Sequence, residues 1–381
     1  QAAFARDAEM AGVALRVPML DIHTVGAGGG SIAWIDAGGA LRVGPQSAGA
    51  VSGPPCDGER GTRPTVTDAN VLLGRLSGHS PLAGGLQLDI DAARRVIHDH
   101  LAQPLGLSVD RAAEGVIQVV NTTMTAAIRK LTVERGHDPR EFVLCPFGGA
   151  GPLHASELAR ELGVGEVIVP AAPGVFSADG LLRSQLREDR VQSFLRSLGE
   201  VSSSELFTAL QTMQEEPAER LREAAGETSH SISTLWQVGL RYAGQGHELT
   251  ISLSEQHEAA LQPAQLAEAF HAAHEQAYGF RRDDEPVELV NLWVSVSAAF
   301  DALPCPNLPT PSSAPQPLTT RPVVFDGQRV ETPIYRREQC GPGNTIAGPA
   351  IIEQDDSTVV IWIDEQACVD RAGNLIITKH A

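Results

Sequence analysis

The spacing of apolar and polar positions divides the chain into segments of different period. Residues 16–44 alternate in short runs broken by glycine turns, which predicts a cluster of strands. Residues 45–66 are rich in Gly, Pro and Ser and read as loop. Thr67 then stands as an N-cap before a short helix, "DANVLLGRL", and residues 91–103 and 108–135 carry helical spacing. In the last of these, Ile117, Val120, Met124, Ile128 and Leu131 recur at helical intervals, so that face is expected against a core.

Residues 141–170, "EFVLCPFGGAGPLHASELARELGVGEVIVP", carry the clearest supersecondary signal. "EFVLC" and "GEVIVP" read as strands. Between them Pro152 sits at a first helical turn, Gly163 where the helix would stop, and Ala155, Leu158, Ala159 and Leu162 give one apolar face. Strand, glycine turn, helix and strand make a βαβ-type unit, which predicts an α/β fold with a largely parallel sheet. Further along, helices are predicted at 174–185, 203–226 and 263–279. Strands are predicted at "REDRVQSFLRS", across "STLWQVGLRYAGQGHELTISL" and at "VELVNLWVSVSAAF". The Pro-rich residues 303–318 read as a linker or strap, and 321–381 as strands and turns.

Length and charge narrow the function classes. The 381 residues suffice for two or three domains. Lys and Arg number 29 against 47 Asp and Glu, a net charge of −18. Such a surface repels phosphate backbones and anionic lipid, so neither nucleic acid nor a membrane is expected as partner. No apolar run reaches the length of a membrane span. The five cysteines are scattered without metal-type spacing, which predicts a reducing cytoplasm. Cys145, inside an apolar run, reads as core.

Two glycine-rich turns are the first candidates for chemistry. "FGGAGP", 147–152, lies at a strand-to-helix turn, where backbone N–H groups and a helix N-terminus can face a phosphate. The same glycines also permit close helix–sheet packing. His154, in the first helical turn, is expected neutral, because an imidazolium is disfavoured at the positive end of a helix. "DIHTVGAGGGS", 21–31, places Asp21 and His23 two apart on a strand end beside Gly28, Gly29 and Gly30. A carboxylate and an imidazole converging there can orient a water, hold a divalent metal or exchange protons. The alternative is that Asp21 caps the turn and His23 packs. Asp68 in "TVTDAN" either complements a helix dipole or takes part in the reaction. "RYAGQGHELT" reads as a polar hairpin, "HEQAYGF" as a packed helix end, and Asp355–Asp356 as a turn cap.

Taken in order, "DIHTVGAGGGSIAW", "GPQSAGAVSGPPCDG", "PTVTDANVLLGRL", "FGGAGPLHASELARELG", "PGVFSADGLL", "RYAGQGHEL" and "GPAIIEQDDSTVV" resemble the hydantoinase A/5-oxoprolinase family, which includes the acetone carboxylase nucleotide-binding subunit. The resemblance runs from about residue 10 to the C-terminus. It implies the second lobe of an actin/Hsp70-like ATPase at 1–195, an α+β domain at 196–302 and a Pro-rich strap with a β-rich C-terminal module at 303–381. It also implies ATP with Mg²⁺ or Mn²⁺. Nucleotide contacts are expected at Gly28, Gly29, Gly30, Gly148, Gly149 and Gly151, catalytic roles at Asp21, His23 and Asp68, and metal ligation at Asp21 and His23. The implied reaction is the ATP-driven opening of a small cyclic amide, with a hydantoinase B-type subunit or fused B domain as partner; self-association is left open. The alternatives are an ATP-dependent ketone carboxylase subunit and a non-catalytic scaffold for a B-type subunit. The family's two Asp-Gly-Gly-Thr phosphate motifs are absent from the sequence. The chain is therefore expected to be a C-terminal portion that does not turn over ATP alone.

Overall fold

The computed structural model describes all residues except 1–3, 6–7, 11–12, 16–18, 21, 59–60, 79–84, 86, 226–228, 254–257, 301–303, 305–307, 312 and 381. The chain packs as two compact units, Asp21–Gly180 with Pro304–Ala381, and Gln1–Leu20 with Leu181–Leu303.

In the first unit, a hairpin of Ser31–Ile35 and Leu41–Ser47 packs with the helices Val66–Leu72, Ile90–Ile97 and Val109–Leu131. Val66, Leu73, Ile97, Val116, Ile117 and Val120 form the core between them. The Val66–Leu72 helix starts two residues earlier than its sequence suggests. Its N-cap is Thr65, closed by a capping box with Asp68, rather than Thr67. Threonine followed three residues later by an acid is the local signal for that cap.

The Gly151–Leu162 helix begins with Pro152 and ends on Gly163 at φ 74°, the left-handed cap that glycine adopts without steric cost. Its face of Ala155, Ala159 and Leu162 packs on Val167, Ile352, Ile361 and Leu375. One four-stranded sheet runs in the order Thr319–Phe325, Gln328–Arg336, Ala350–Gln354, Ser357–Ile361. A second runs Thr345–Ala347, Glu365–Val369, Leu375–Lys379, Glu166–Val169.

The predicted largely parallel sheet is not what forms. Among the described strands the one parallel ladder joins Ile334–Arg336 to Ile351–Glu353. The βαβ unit is reduced to a single parallel bridge, Leu144 with Val167. "EFVLC" is otherwise irregular, with Phe142 and Val143 each 48% exposed and Cys145 exposed rather than core. Glu166–Val169 takes its ladder from Leu375–Thr378 instead. That antiparallel pairing ties Pro304–Ala381 into the same unit as Asp21–Gly180.

The second unit is an antiparallel sheet in the order Leu249–Leu253, Ser229–Tyr242, Val287–Phe300, Leu186–Ser197. The helices Ser203–Ala225 and Pro263–Tyr278 pack on it. Trp236, Val238 and Leu240 alternate inward, as do Leu292, Val294 and Val296, and meet Leu206, Leu210 and Phe270.

Candidate functional site

The two glycine turns are more than a hundred residues apart in sequence, and they meet. Gly29 and Gly149 line one pocket of about 310 Å³, together with Thr67, Asn70, Asp355 and Asp356. That volume is at the lower end of ligand pockets, roughly 300–1,000 Å³. The approach of the turns is close: a Cβ on Gly29 would stand 2.9 Å from Thr67 Oγ1 and 3.8 Å from Ala150 Cβ. The first turn is held by side chains. Ser31 Oγ accepts from Gly28 N–H at 3.0 Å, while the carbonyl of Gly29 accepts from Thr67 N at 2.9 Å and Thr67 Oγ1 at 3.0 Å. The second turn begins at Gly148, whose φ of 79° is left-handed and whose N–H donates to Pro173 O at 2.7 Å.

The six glycines expected to contact a ligand therefore separate. Gly29 and Gly149 line the pocket. The amide of Gly28 is occupied within its own turn and that of Gly148 by the carbonyl of Pro173. Gly30 and Gly151 lie outside the pocket lining. A Cβ on Gly30 would meet Ser47 Oγ at 3.0 Å, and Gly151 approaches Pro146.

Asp68 is fully buried behind the wall that Thr67 presents. One of its oxygens accepts from Cys56 N at 2.9 Å, the other from Thr65 N at 2.8 Å and Thr65 Oγ1 at 2.7 Å. Burial raises its pKa against the lowering effect of those donors. Its hydrogen bonds close on Thr65 and Cys56, forming the cap of the helix that carries Thr67. His23 lies in irregular backbone, exposed, rather than on a strand end. Asp21 lies outside the described residues. Among the described residues no group of three or more His, Cys, Asp or Glu side chains converges as a metal site.

The turn of Asp355 and Asp356 is the part of the lining that sequence reasoning missed. Asp356 Oδ2 accepts from Gly174 N at 2.9 Å, so this carboxylate ties to the Pro173–Val175 turn rather than to its own. Its other oxygen, Oδ1, is buried with no partner among the described residues. Asp355 pairs with Arg336 at 2.7 Å.

Behind the second glycine turn runs a buried polar network. His154 Nδ1 meets Asn121 Oδ1 at 2.8 Å, Asn121 Nδ2 donates to Glu157, and Glu157 pairs with Arg75 at 2.6 Å. His154 is almost wholly buried, and burial first, then the nearby Arg75 charge, lowers its pKa to about 3. The sequence expectation of a neutral imidazole is met, through desolvation rather than the helix dipole.

The arrangement defines a mixed α/β protein with a glycine-walled pocket at a helix N-terminus. A family model described as Hydantoinase/oxoprolinase matches residues 1–190, and one described as Hydantoinase/oxoprolinase C-terminal domain matches residues 199–379. The chain belongs to the hydantoinase/oxoprolinase family. It is 38% identical to the caprolactamase subunit alpha of Pseudomonas jessenii, over 94% of this chain and 52% of that subunit. The crystal structure of the ATP-dependent caprolactamase from Pseudomonas jessenii matches with a TM-score of 0.83 at 36% identity, covering 99% of this chain and 56% of that one. The nucleotide-free structure of acetone carboxylase matches with a TM-score of 0.82 at 27% identity, covering 100% and 55%. The chain thus spans about half the length of the relatives it matches. Among the described residues no helix is long and apolar enough to cross a membrane.

Proposed function

We propose that this chain is the nucleotide-binding portion of an ATP-dependent enzyme that opens a cyclic amide of the lactam, hydantoin or 5-oxoproline type. One observation carries the reading: Gly29 and Gly149, from turns distant in sequence, wall a single pocket beside a helix N-terminus. Bare backbone at such a point suits a phosphate chain. We assign this unit to the second lobe of an actin-like ATPase, with the nucleotide bound between lobes.

The chemistry needs ATP for a plain reason. An amide carbonyl is a poor electrophile, and opening an unstrained ring is not strongly downhill. The amide oxygen attacks the γ-phosphorus and ADP departs. Water adds to the activated carbon, the C–N bond breaks as nitrogen takes a proton, and a second water releases phosphate from the acyl phosphate. Positioning and charge stabilisation supply most of the rate of such a transfer. A divalent cation, Mg²⁺ or Mn²⁺, would neutralise the triphosphate. The unpartnered Oδ1 of Asp356 is an oxygen in the lining that fits such a hard cation. His23 is assigned to the acceptor end, Asp68 to holding Thr67 in the wall, and a B-type subunit to the partner. Higher identity to the caprolactamase subunit than to acetone carboxylase supports ring opening over ketone carboxylation.

The test is Gly149→Val in the intact gene product. A Cβ there meets Asp356 O at an ordinary 3.4 Å, so the fold tolerates it while the branched side chain enters the pocket. ATP affinity by calorimetry should fall at least about tenfold with an unchanged unfolding midpoint. Unchanged affinity overturns the nucleotide assignment. ATP turnover dependent on acetone and bicarbonate, with none on hydantoin, 5-oxoproline or caprolactam, overturns the reaction class.

A further inference from the structure

A larger cavity, of about 440 Å³, is lined from both the Val109–Leu131 and the Gly151–Leu162 helix and shares no lining residue with the Gly29–Gly149 pocket. Two rungs join these helices. Asn121 Nδ2 donates to Glu157, and one turn further along both helices Thr125 Oγ1 donates to Glu161 at 3.0 Å. Arg75 is brought to the first rung by the chain that leaves the Val66–Leu72 helix. Its N–H donates to Asn70 O at 3.0 Å, and its carbonyl accepts from Arg321 Nη2 at 3.0 Å. Trp362 follows the Ser357–Ile361 strand. Its N–H donates to Glu365 Oε2 at 3.1 Å, Arg160 lies 4.6 Å over its ring, and Phe325 stands edge-on at 5.3 Å.

The buried part of the lining holds idle donors. Arg75 is 3% exposed and Trp362 5%, and both line the cavity. Glu157 takes Arg75 Nη2 at 2.6 Å. Arg75 Nε and Nη1, which carry three of the five guanidinium N–H bonds, have no acceptor among the described residues, and neither has Trp362 Nε1. A buried cation beside an idle indole N–H calls for an anion with an oxygen for each, and a carboxylate has two. The rim has the opposite character. Glu161 and Asp326 line the cavity and are exposed. Asp326 sits at φ 48° in the turn between the strands Thr319–Phe325 and Gln328–Arg336, and the next N–H, that of Gly327, donates to Glu114 at 2.6 Å. The lining thus sets four carboxylates, Glu114, Glu157, Glu161 and Asp326, against the guanidinium groups of Arg75 and Arg160. A phosphate or a dicarboxylate would enter against that surplus of negative charge, whereas a ligand that brings its own cation would not.

We propose that this cavity binds a small zwitterion of the ω-amino acid type. Its carboxylate accepts from Arg75 and Trp362, its ammonium donates to Glu161, and Ile117 packs against the carbon chain between them. Arg75 meets the first rung and Glu161 forms the second, one helical turn on. The two charges are therefore held about 6 Å apart, wider than the one-carbon spacing of an α-amino acid. The assignment rests on this cavity alone and not on the nucleotide reading.

The experiment uses the full chain without nucleotide and four probes, 4-aminobutyrate, butyrate, butylamine and glycine, read by saturation-transfer NMR. 4-Aminobutyrate should bind at least about tenfold more tightly than butyrate, which lacks the ammonium, than butylamine, which lacks the carboxylate, and than glycine, whose charges are too close. Glu161→Gln keeps an acceptor for Thr125 and removes the charge, and should abolish the preference over butyrate. Trp362→Phe keeps a ring and removes the donor, while Arg75→Met/Glu157→Leu removes the buried cation together with its partner. Each should weaken 4-aminobutyrate about tenfold while leaving the circular dichroism spectrum unchanged. Absence of 4-aminobutyrate binding at about 10 mM, binding of butyrate, butylamine or glycine as tight as that of 4-aminobutyrate, or a preference over butyrate that survives Glu161→Gln overturns the proposal. So does unchanged affinity in Trp362→Phe and Arg75→Met/Glu157→Leu with native dichroism. Gly149→Val should leave the 4-aminobutyrate signal intact. Because no ATP is present, loss of the nucleotide assignment would not alter this readout, and failure here would leave ATP affinity at the other pocket untouched.

Discussion

His154 shows how one side chain sets a pH dependence for the fold. Asn121 donates through Nδ2 to Glu157, so its Oδ1 is the acceptor and His154 Nδ1 the donor, at 2.8 Å. Nε2 is then a buried lone pair with no partner among the described residues. A proton there would bring a charge out of water beside Arg75, which is why the folded pKa falls to about 3 from the ordinary 6.5. Between those values the unfolded chain binds a proton that the folded chain refuses. Stability from this group is therefore complete above the unfolded pKa and is lost as pH falls towards the folded one. The expected slope approaches about 1.4 kcal/mol per pH unit within that window. Urea unfolding between pH 7.5 and 4.5 measures it, and His154→Gln should flatten the slope. An undiminished slope in that variant would assign the acid sensitivity to other groups.

The same network makes the Gly151–Leu162 helix dependent on an ion pair. Arg75 Nη2 is bound to Glu157, while its Nε and Nη1 are buried without partners among the described residues. Removing the carboxylate leaves a guanidinium with nothing to offset its desolvation. Glu157→Ala should cost about 3–5 kcal/mol, and the double variant Arg75→Met/Glu157→Leu should regain most of it. Additive losses in a double-mutant cycle, from denaturant midpoints, would mean that the two side chains are not coupled. The ends of this helix were legible because Pro152 and Gly163 act locally, through a fixed φ and a missing Cβ. The Thr65 cap was misread as Thr67, although its threonine-to-acid spacing carries the signal. "EFVLC" was not, because an apolar run states a preference for burial and not which strand covers it. Nor was the pocket wall of Asp355 and Asp356. Their turn chemistry is local, but their approach to Gly149 depends on the Ser357–Ile361 strand packing along the helix, and pairwise contact at that range leaves no period in the sequence.

At the scale of the whole chain, the buried clusters of the described residues divide between the two compact units. The cluster spanning Leu198 to Ala298 belongs to the antiparallel unit, and the three other clusters belong to the unit that holds Gly29 and Gly149. Each core loses its water on its own account, so a cavity in one should be felt there first. Leu240 is fully buried in the antiparallel unit, next to the strand end that carries Tyr242. Leu240→Ala should cost about 2–5 kcal/mol of that unit's stability. Differential scanning calorimetry should resolve two transitions, of which the substitution lowers one and leaves the other in place. At a temperature between the shifted and the unshifted transition, the variant should keep its ATP affinity at the Gly29–Gly149 pocket. A single transition that moves as a whole, with ATP affinity lost alongside it, would mean that the two cores fold as one.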